Sequence, residues 1–306
     1  MDTPLELAVT TERLYEYVTA VRPEIERALL QHLPLALGNN YKDFNDALHY
    51  ALFPGGKRLR PVLTLLGAEV ISGHAQEIWP AAVAIEYVHT SSLIFDDLPC
   101  MDNATKRRGR PSLHMRYGEG VAMLVALALM NASYGLILDS GPATRALHAH
   151  RELVEGIGTH GAIAGQYLDL TSNRCSSSVA GNGDGHWDAV RSLKTSALIS
   201  VALRVGAILA GATHGQLNVL SRFGSLLGDA FQSADNIIDV EEDMALFARA
   251  ALSARSADIQ SIKATMLRVS SLIAEAKNTL IAEFATTHGT HLLCEIADYV
   301  EERGTT

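Results

Sequence analysis

Three carboxylates crowd the end of one apolar run, Asp96, Asp97 and Asp102 in LIFDDLPCMD, and the cations Lys106, Arg107, Arg108 and Arg110 follow at once. A second acidic group comes late, in FQSADNIIDVEED, where Asp235, Asp239 and Asp243 recur at i, i+4 and i+8. On one helix those three carboxylates form a single stripe. Phe231, Ile237 and Ile238 in the same segment predict a helix otherwise embedded in the core, where acids need partners. Oxygen donors without a histidine or cysteine ligand set suit magnesium, which takes carboxylate and phosphate oxygens and keeps several waters. Arginine adds planar, bidentate recognition of phosphate. The pattern therefore predicts magnesium and a phosphorylated ligand, beside apolar walls that take hydrocarbon.

The elements must bring these groups together. In an uninterrupted helix Asp97 and Asp102 would point about 140° apart and could not share an ion. Pro99 changes this: it disfavours helical backbone at Leu98, so the helix ends there and a bent chain returns Asp102 over the helix end. Elsewhere alanine and leucine dominate, aromatics are 6%, and alternating β-branched runs are scarce, which predicts an all-α fold. The predicted helices cover 11–33, 44–52, 59–70, 78–98, 118–138, 145–170, 188–210, 216–243, and 258–302 with a break near His288. No composition break divides 1–306, so the chain reads as a single domain with 1–10 a loose N-terminal segment. FPGGKRLRP places Pro54, Gly55 and Gly56 before a helix that Pro61 enters in its first turn, and TSNRCSSSVAGNGDG, 171–185, reads as a surface connection.

At 306 residues and 48% hydrophobic the chain can bury a substantial core. A net charge of -9 disfavours nucleic acid as a partner. Cys100, Cys175 and Cys294 are odd in number and scattered, which argues for a reducing compartment. The N-terminal MDTPLELAVTTERLYEYV has no basic start followed by an apolar core, so a cytoplasmic location is expected. The segment 121–138 carries no charge and reaches the lower length of a membrane span. Asn131, Ser133 and Tyr134 and the lack of flanking cationic anchors predict a central buried helix instead, and no transmembrane segment.

The order and spacing of GGKRLRP (55–61), HTSSLIFDDLPCMDNATKRRGRPS (89–112), GQYLDL (165–170), LKTSALI (193–199) and FQSADNIID (231–239) resemble the trans-prenyltransferases, the head-to-tail isoprenyl diphosphate synthases. The resemblance implies an all-helical isoprenoid-synthase-type bundle around a deep central cavity, usually a homodimer. It implies condensation of an allylic diphosphate with isopentenyl diphosphate, with magnesium as cofactor, three ions when diphosphate is bound. Carried over by position, Asp96, Asp97, Asp102, Asp235 and Asp239 bind metal, and Lys57, Arg60, His89 and Arg108 hold isopentenyl diphosphate. Arg107, Lys194, Thr195 and Gln232 lie around the allylic diphosphate or the nascent cation, and the catalytic set is Asp96, Asp97, Lys194, Gln232 and Asp235. Without the resemblance His89 reads as a core histidine and Lys194 as a surface lysine. Gln166 and Asp169 fit a helix contact as well as a site.

Product length follows from Ser91, five residues before Asp96, with Ser92 beside it. Relatives that stop at fifteen carbons tend to place an aromatic floor there, so small side chains imply the twenty-carbon geranylgeranyl product. Three departures stand out: Asn236 replaces an adjacent aspartate, Asn103 another, and the lysine-rich loop that usually follows the second motif is missing after Asp239. Two further readings compete. A class I terpene cyclase needs a metal triad, but the spacing from Asp229 finds Ser233 and then Ile237 where a glutamate should stand. A regulatory subunit of a prenyl diphosphate synthase fits Asn236 and the missing loop.

Overall fold

The computed structural model describes residues 11–75, 78–175, 196–246 and 254–303. They are helical almost throughout, as predicted: α1 Glu12–Gln31, α2 Lys42–Leu52, α3 Leu59–Ser72, α4 Trp79–Asp97, α5 Leu113–Tyr117, α6 Glu119–Leu138, α7 Ala143–Ile157, α8 Ala162–Cys175, α9 Ala197–Ala210, α10 His214–Leu246, α11 Ala254–Glu283 and α12 His288–Arg303. The chain divides into two compact units, one of residues 16–152 with 205–212, the other of 153–204 and 213–306 with 7–15.

In the first unit α4 is the central element, packed on α3 and α6. Ala81, Ala82, Val83, Ala84 and Ile85 are buried on all sides of its first turns, and Pro80 sits near its start, where a missing N–H costs nothing. It stops at Asp97 because Leu98, ahead of Pro99, is extended. The α3 helix carries Pro61 in its first turn and ends on Gly73, whose positive φ lets its N–H reach the Glu69 carbonyl.

In the second unit α10 starts on a capping box: Gln216 N–H donates to Thr213 Oγ1 at 3.3 Å and Thr213 N–H to Gln216 Oε1 at 2.9 Å. It packs with α11 and α12, and Leu220, Phe223, Leu227, Leu280, Leu292 and Ile296 fill that core. The break expected near His288 lies between α11 and α12, where Thr287 Oγ1 accepts the Thr290 N–H.

Four expectations are corrected. The helix expected over 145–170 is two, α7 and α8, separated at Gly158 and Gly161, which lower helix propensity within one turn. The connection expected over 171–185 begins later, since α8 runs to Cys175; its remainder, 176–185, lies outside the described residues, as does the start, 188–195, of the helix expected over 188–210. A two-stranded hairpin, β1 Lys106–Arg107 and β2 Arg110–Pro111, was not foreseen, nor was α5. The α6 helix is not buried all round. Ala122, Val125, Ala126, Leu129, Ser133, Leu136 and Ile137 are inside, whereas Met123, Leu124, Leu127 and Leu138 are exposed. Only 33% of its most apolar stretch is buried, and it is long and apolar enough to cross a membrane by length and composition alone.

Candidate active site

Beyond Asp97 the chain turns back on itself. Asp102 N–H donates to the Asp96 carbonyl at 2.9 Å, Asn103 N–H to Leu98 and Ala104 N–H to Asp97. The bend expected from Pro99 therefore returns Asp102 to the last turn of α4, where Asp96 is half-buried. Both acids sit where the helix's own carbonyls already concentrate negative potential, an unfavourable place unless a cation joins them.

Asp97 is in a different situation. It is 4% exposed, and Arg107 grips it with Nε at 3.1 and 3.2 Å from the two oxygens and Nη2 at 2.5 Å from Oδ1. The pair raises the basicity of Arg107, whose hydrogen bond to Asp97 outweighs its partial burial. The hairpin makes this possible: Arg108 and Gly109 turn the chain with φ of 53° and 71°, both left-handed, which suits a two-residue loop. Arg108 then reaches over Gly56, where a Cβ would come within 2.8 Å of its Nη2. Arg110 is occupied with the fold, stacked 3.8 Å over the Tyr50 ring and donating to the Phe53 carbonyl. A pocket beside the hairpin is lined by Asp97, Arg107, Arg108, Leu93, Ile94 and Tyr50, among others.

Arg60 and His89 form a separate wall, outside the lining of that pocket. Arg60 Nη1 lies 3.1 Å from His89 Nε2. A guanidinium only donates, so Nε2 is the acceptor and the imidazole is neutral with its proton on Nδ1. Burial and the guanidinium groups of Arg60, Arg108, Arg107 and Arg58 hold His89 well below its ordinary value of 6.5. The Nε of Arg60 is buried with no partner, and burial, opposed by Glu86 and reinforced by Arg108, pushes the group down to about 10. An orphaned guanidinium N–H beside a neutral acceptor and a second arginine is a place for an anion. His89 also has a measurable effect without ligand. Its folded value lies below the unfolded one, so the unfolded chain binds the extra proton and stability falls as pH drops below about 6.5. His89→Gln is expected to flatten that decline in melting temperature; an unchanged slope would show that the imidazole titrates normally.

Arg58, which sequence reasoning passed over, organises this wall. It is 2% exposed with φ 56° and donates to Glu26 through Nε (2.8 Å) and Nη2 (3.0 Å), to Glu86 Oε1 through Nη1 (2.6 Å) and to the Leu52 carbonyl through Nη2 (2.7 Å). A Cβ on Gly55 would fall inside its guanidinium, so the paired glycines of the motif clear space for arginines. That pairing of Gly-Gly with a cationic run was the available signal.

Lys57 is exposed at the same loop, and Arg108 and Asp102 are exposed nearby. Ser91 is fully buried, with its hydroxyl 2.8 Å from the Tyr87 carbonyl and 2.9 Å from that of Ala126 on α6. Ser92 is half-buried and shares with His89 and Asp96 a helical spacing of one stripe. Gln166 and Asp169 are half-buried on α8, and Gln232 on α10. Asp235 and Asp239 lie on α10 in the second unit, but their side chains, and all of Lys194 and Thr195, are outside the described residues. Among the described residues no group of three acidic, histidine or cysteine side chains forms a complete ligand set. Two carboxylates at a helix end still fit magnesium, which needs few protein ligands when phosphate oxygens and waters complete its shell.

A chain helical almost throughout its described residues, with an aspartate-rich helix end beside a desolvated arginine cluster, has the makings of a prenyl synthase. Residues 41–295 match the model of the polyprenyl synthetase family, and the chain belongs to that family. It is 40% identical over 199 residues to geranylgeranyl pyrophosphate synthase 3, chloroplastic, of Arabidopsis thaliana, covering 64% of this chain and 55% of that protein. It is 36% identical over 251 residues to a chloroplastic geranylgeranyl pyrophosphate synthase of Capsicum annuum, covering 78% and 64%. The matches thus span less than two thirds of those relatives' length. Among solved structures, an FPP/GFPP synthase from Zymomonas mobilis matches at a TM-score of 0.81 and 26% identity, covering 95% of this chain and 99% of that one. A geranyltransferase from Legionella pneumophila matches at 0.78 and 28%, covering 96% and 98%.

Proposed function

We propose that this chain joins isopentenyl diphosphate head-to-tail to an allylic diphosphate and ends at the twenty-carbon geranylgeranyl diphosphate. The observation that carries the reading is the unpartnered Arg60 Nε beside His89 and Arg108, one turn and more along α4 from Asp96. Arg60, Arg108 and Lys57 hold the diphosphate of isopentenyl diphosphate. Asp97 orients Arg107 towards the allylic diphosphate, and Asp96 and Asp102 would hold magnesium at the first motif, as Asp235 and Asp239 would at the second. Bound magnesium neutralises charge on the departing diphosphate. The allylic C–O bond breaks with its electron pair on oxygen, the alkene of isopentenyl diphosphate supplies the pair for the new C–C bond, and the adjacent carbon gives up a proton to the released diphosphate. Side chains position and screen, and none acts as nucleophile.

Purified protein incubated with magnesium, farnesyl diphosphate and labelled isopentenyl diphosphate tests the reading. A labelled twenty-carbon diphosphate is expected. A hydrocarbon without label would make the chain a cyclase, and activity only with an added partner would make it a regulatory subunit. Product length is expected to respond at Ser92 more cleanly than at Ser91. Ser92→Tyr adds bulk on the stripe of His89 and Asp96, and is expected to shorten the main product. Ser91→Tyr must push α4 from the Ala126 carbonyl, and is expected to cost about 1–3 kcal/mol of stability. Thermal melts and product chromatography of the two variants separate these effects.

The exposed apolar face of α6 supports a homodimer, because a second copy would cover Met123, Leu124 and Leu127. Leu127→Glu is expected to yield monomers in sedimentation, and an unshifted dimer would move the interface elsewhere. The free thiols of Cys100 and Cys294 support a reducing, cytoplasmic setting.

A further inference from the structure

Two buried guanidinium groups stand near one buried carboxylate, and only one of them takes it. Glu86 is 2% exposed and lies three residues before His89 on α4. Its Oε1 accepts from Arg58 Nη1 at 2.6 Å, and its charge also pulls on Arg60. Arg60 nevertheless keeps a buried Nε without any hydrogen-bond partner. A carboxylate in a low-dielectric setting seeks the best available donor, and Arg58 supplies it with geometry fixed from three other directions: two bonds to Glu26 and one to the Leu52 carbonyl.

We infer that Arg58 is a positioning residue that occupies Glu86 and thereby keeps Arg60 unneutralised for the diphosphate. Without Arg58, Glu86 would be left with a buried, uncompensated charge, and Arg60, on which that charge already acts, is a cation able to take it. The protein would then fill its own anion site with its own carboxylate. The inference deepens the reading of Arg60, His89 and Arg108 as a diphosphate cradle and rests on it.

The geometry also says why the fourth bond matters. Arg58 begins in a left-handed backbone conformation and folds back over Gly55, so its guanidinium is locked by α1, the end of α2 and α4 together. A lysine has no fork with which to serve Glu26 and Glu86 at once.

The test is titration with inorganic diphosphate in the presence of a chelator, which needs neither metal nor turnover. Arg58→Met is expected to weaken binding at least about tenfold, and the double variant Arg58→Met/Glu86→Gln to return it to within about threefold of the parent. In the condensation assay the single variant is expected to raise KM for isopentenyl diphosphate while kcat is kept. A double variant as weak as the single one, or a folded Arg58→Met protein with parental affinity, overturns the inference. If Arg58→Met does not fold, Glu86→Gln decides: it preserves the oxygen that accepts from Arg58, and affinity equal to or tighter than the parent is expected, whereas weaker binding overturns the inference. A parent protein that binds diphosphate but condenses nothing would end the functional reading and leave the titration to judge the pair. A parent that does not bind it ends both.

Discussion

Arg60→Met will bind isopentenyl diphosphate about a hundredfold more weakly than the parent protein and will melt at a higher temperature. The first half follows from the charge-assisted bonds a desolvated guanidinium gives a diphosphate, worth about 1.5–3 kcal/mol each. The second follows from what the fold bears without ligand. Burial lowers Arg60 from 12.5 to about 10, so the folded state carries a penalty for its charge at every pH below that value. The penalty is on the order of 3 kcal/mol, partly offset by the bond to His89. Removing the charge relieves it, and a rise of about 3 °C is expected in a thermal melt. Weaker binding with a lower melting temperature would mean that Arg60 serves the fold. Unchanged binding would remove it from the site.

The second large effect is expected at Asp96. Asp96→Asn will lower turnover about a thousandfold, because one charged metal ligand at the departing diphosphate is lost. The same change also removes a carboxylate from the last turn of α4, where it opposes the helix dipole. Asp97→Asn makes the contrast. It removes the partner of Arg107, and costs stability on the order of 1–2 kcal/mol because Arg107, with 39% of its side chain exposed, is left partly solvated. Calorimetric titration with magnesium is the check: Asp96→Asn is expected to weaken it and Asp97→Asn to weaken it less. Equal loss at both positions would make Asp97 a ligand in its own right.

How much of this the residues announce in one dimension depends on the range of the force at work. Pro99 acts on its neighbour, so the end of α4 and the return of Asp102 were readable before any coordinates. Long apolar periodicities gave α1, α3, α4 and α12 their positions to within a few residues. The hairpin and α5 are too short to show a period, and the interruption between α7 and α8 hides in two glycines three residues apart. The exposure of half of α6 was unreadable for another reason. A helix apolar all round gives no sign of which face its own chain covers and which it leaves for a neighbour. At the site, Asp96 and Asp97 read alike because both are aspartates; that Asp97 is held by Arg107 depends on tertiary direction. Arg58 was passed over because nothing in the run KRLR marks one of its cations as facing the interior. The structure turns it inward instead.

The close fit of the Arg58 guanidinium over Gly55 also constrains how the family's loop can drift. Any side chain at position 55 meets the end of the Arg58 side chain, so the guanidinium has to shift from its four bonds to admit it. Loss of the arginine alone frees a carboxylate next to the substrate cradle, and a lineage would cross that step only after position 86 had already given up its charge. Positions 55 and 58, in the loop before α3, are therefore coupled to position 86 on α4, and libraries that randomise the glycines alone should mostly return the parental residue at 55.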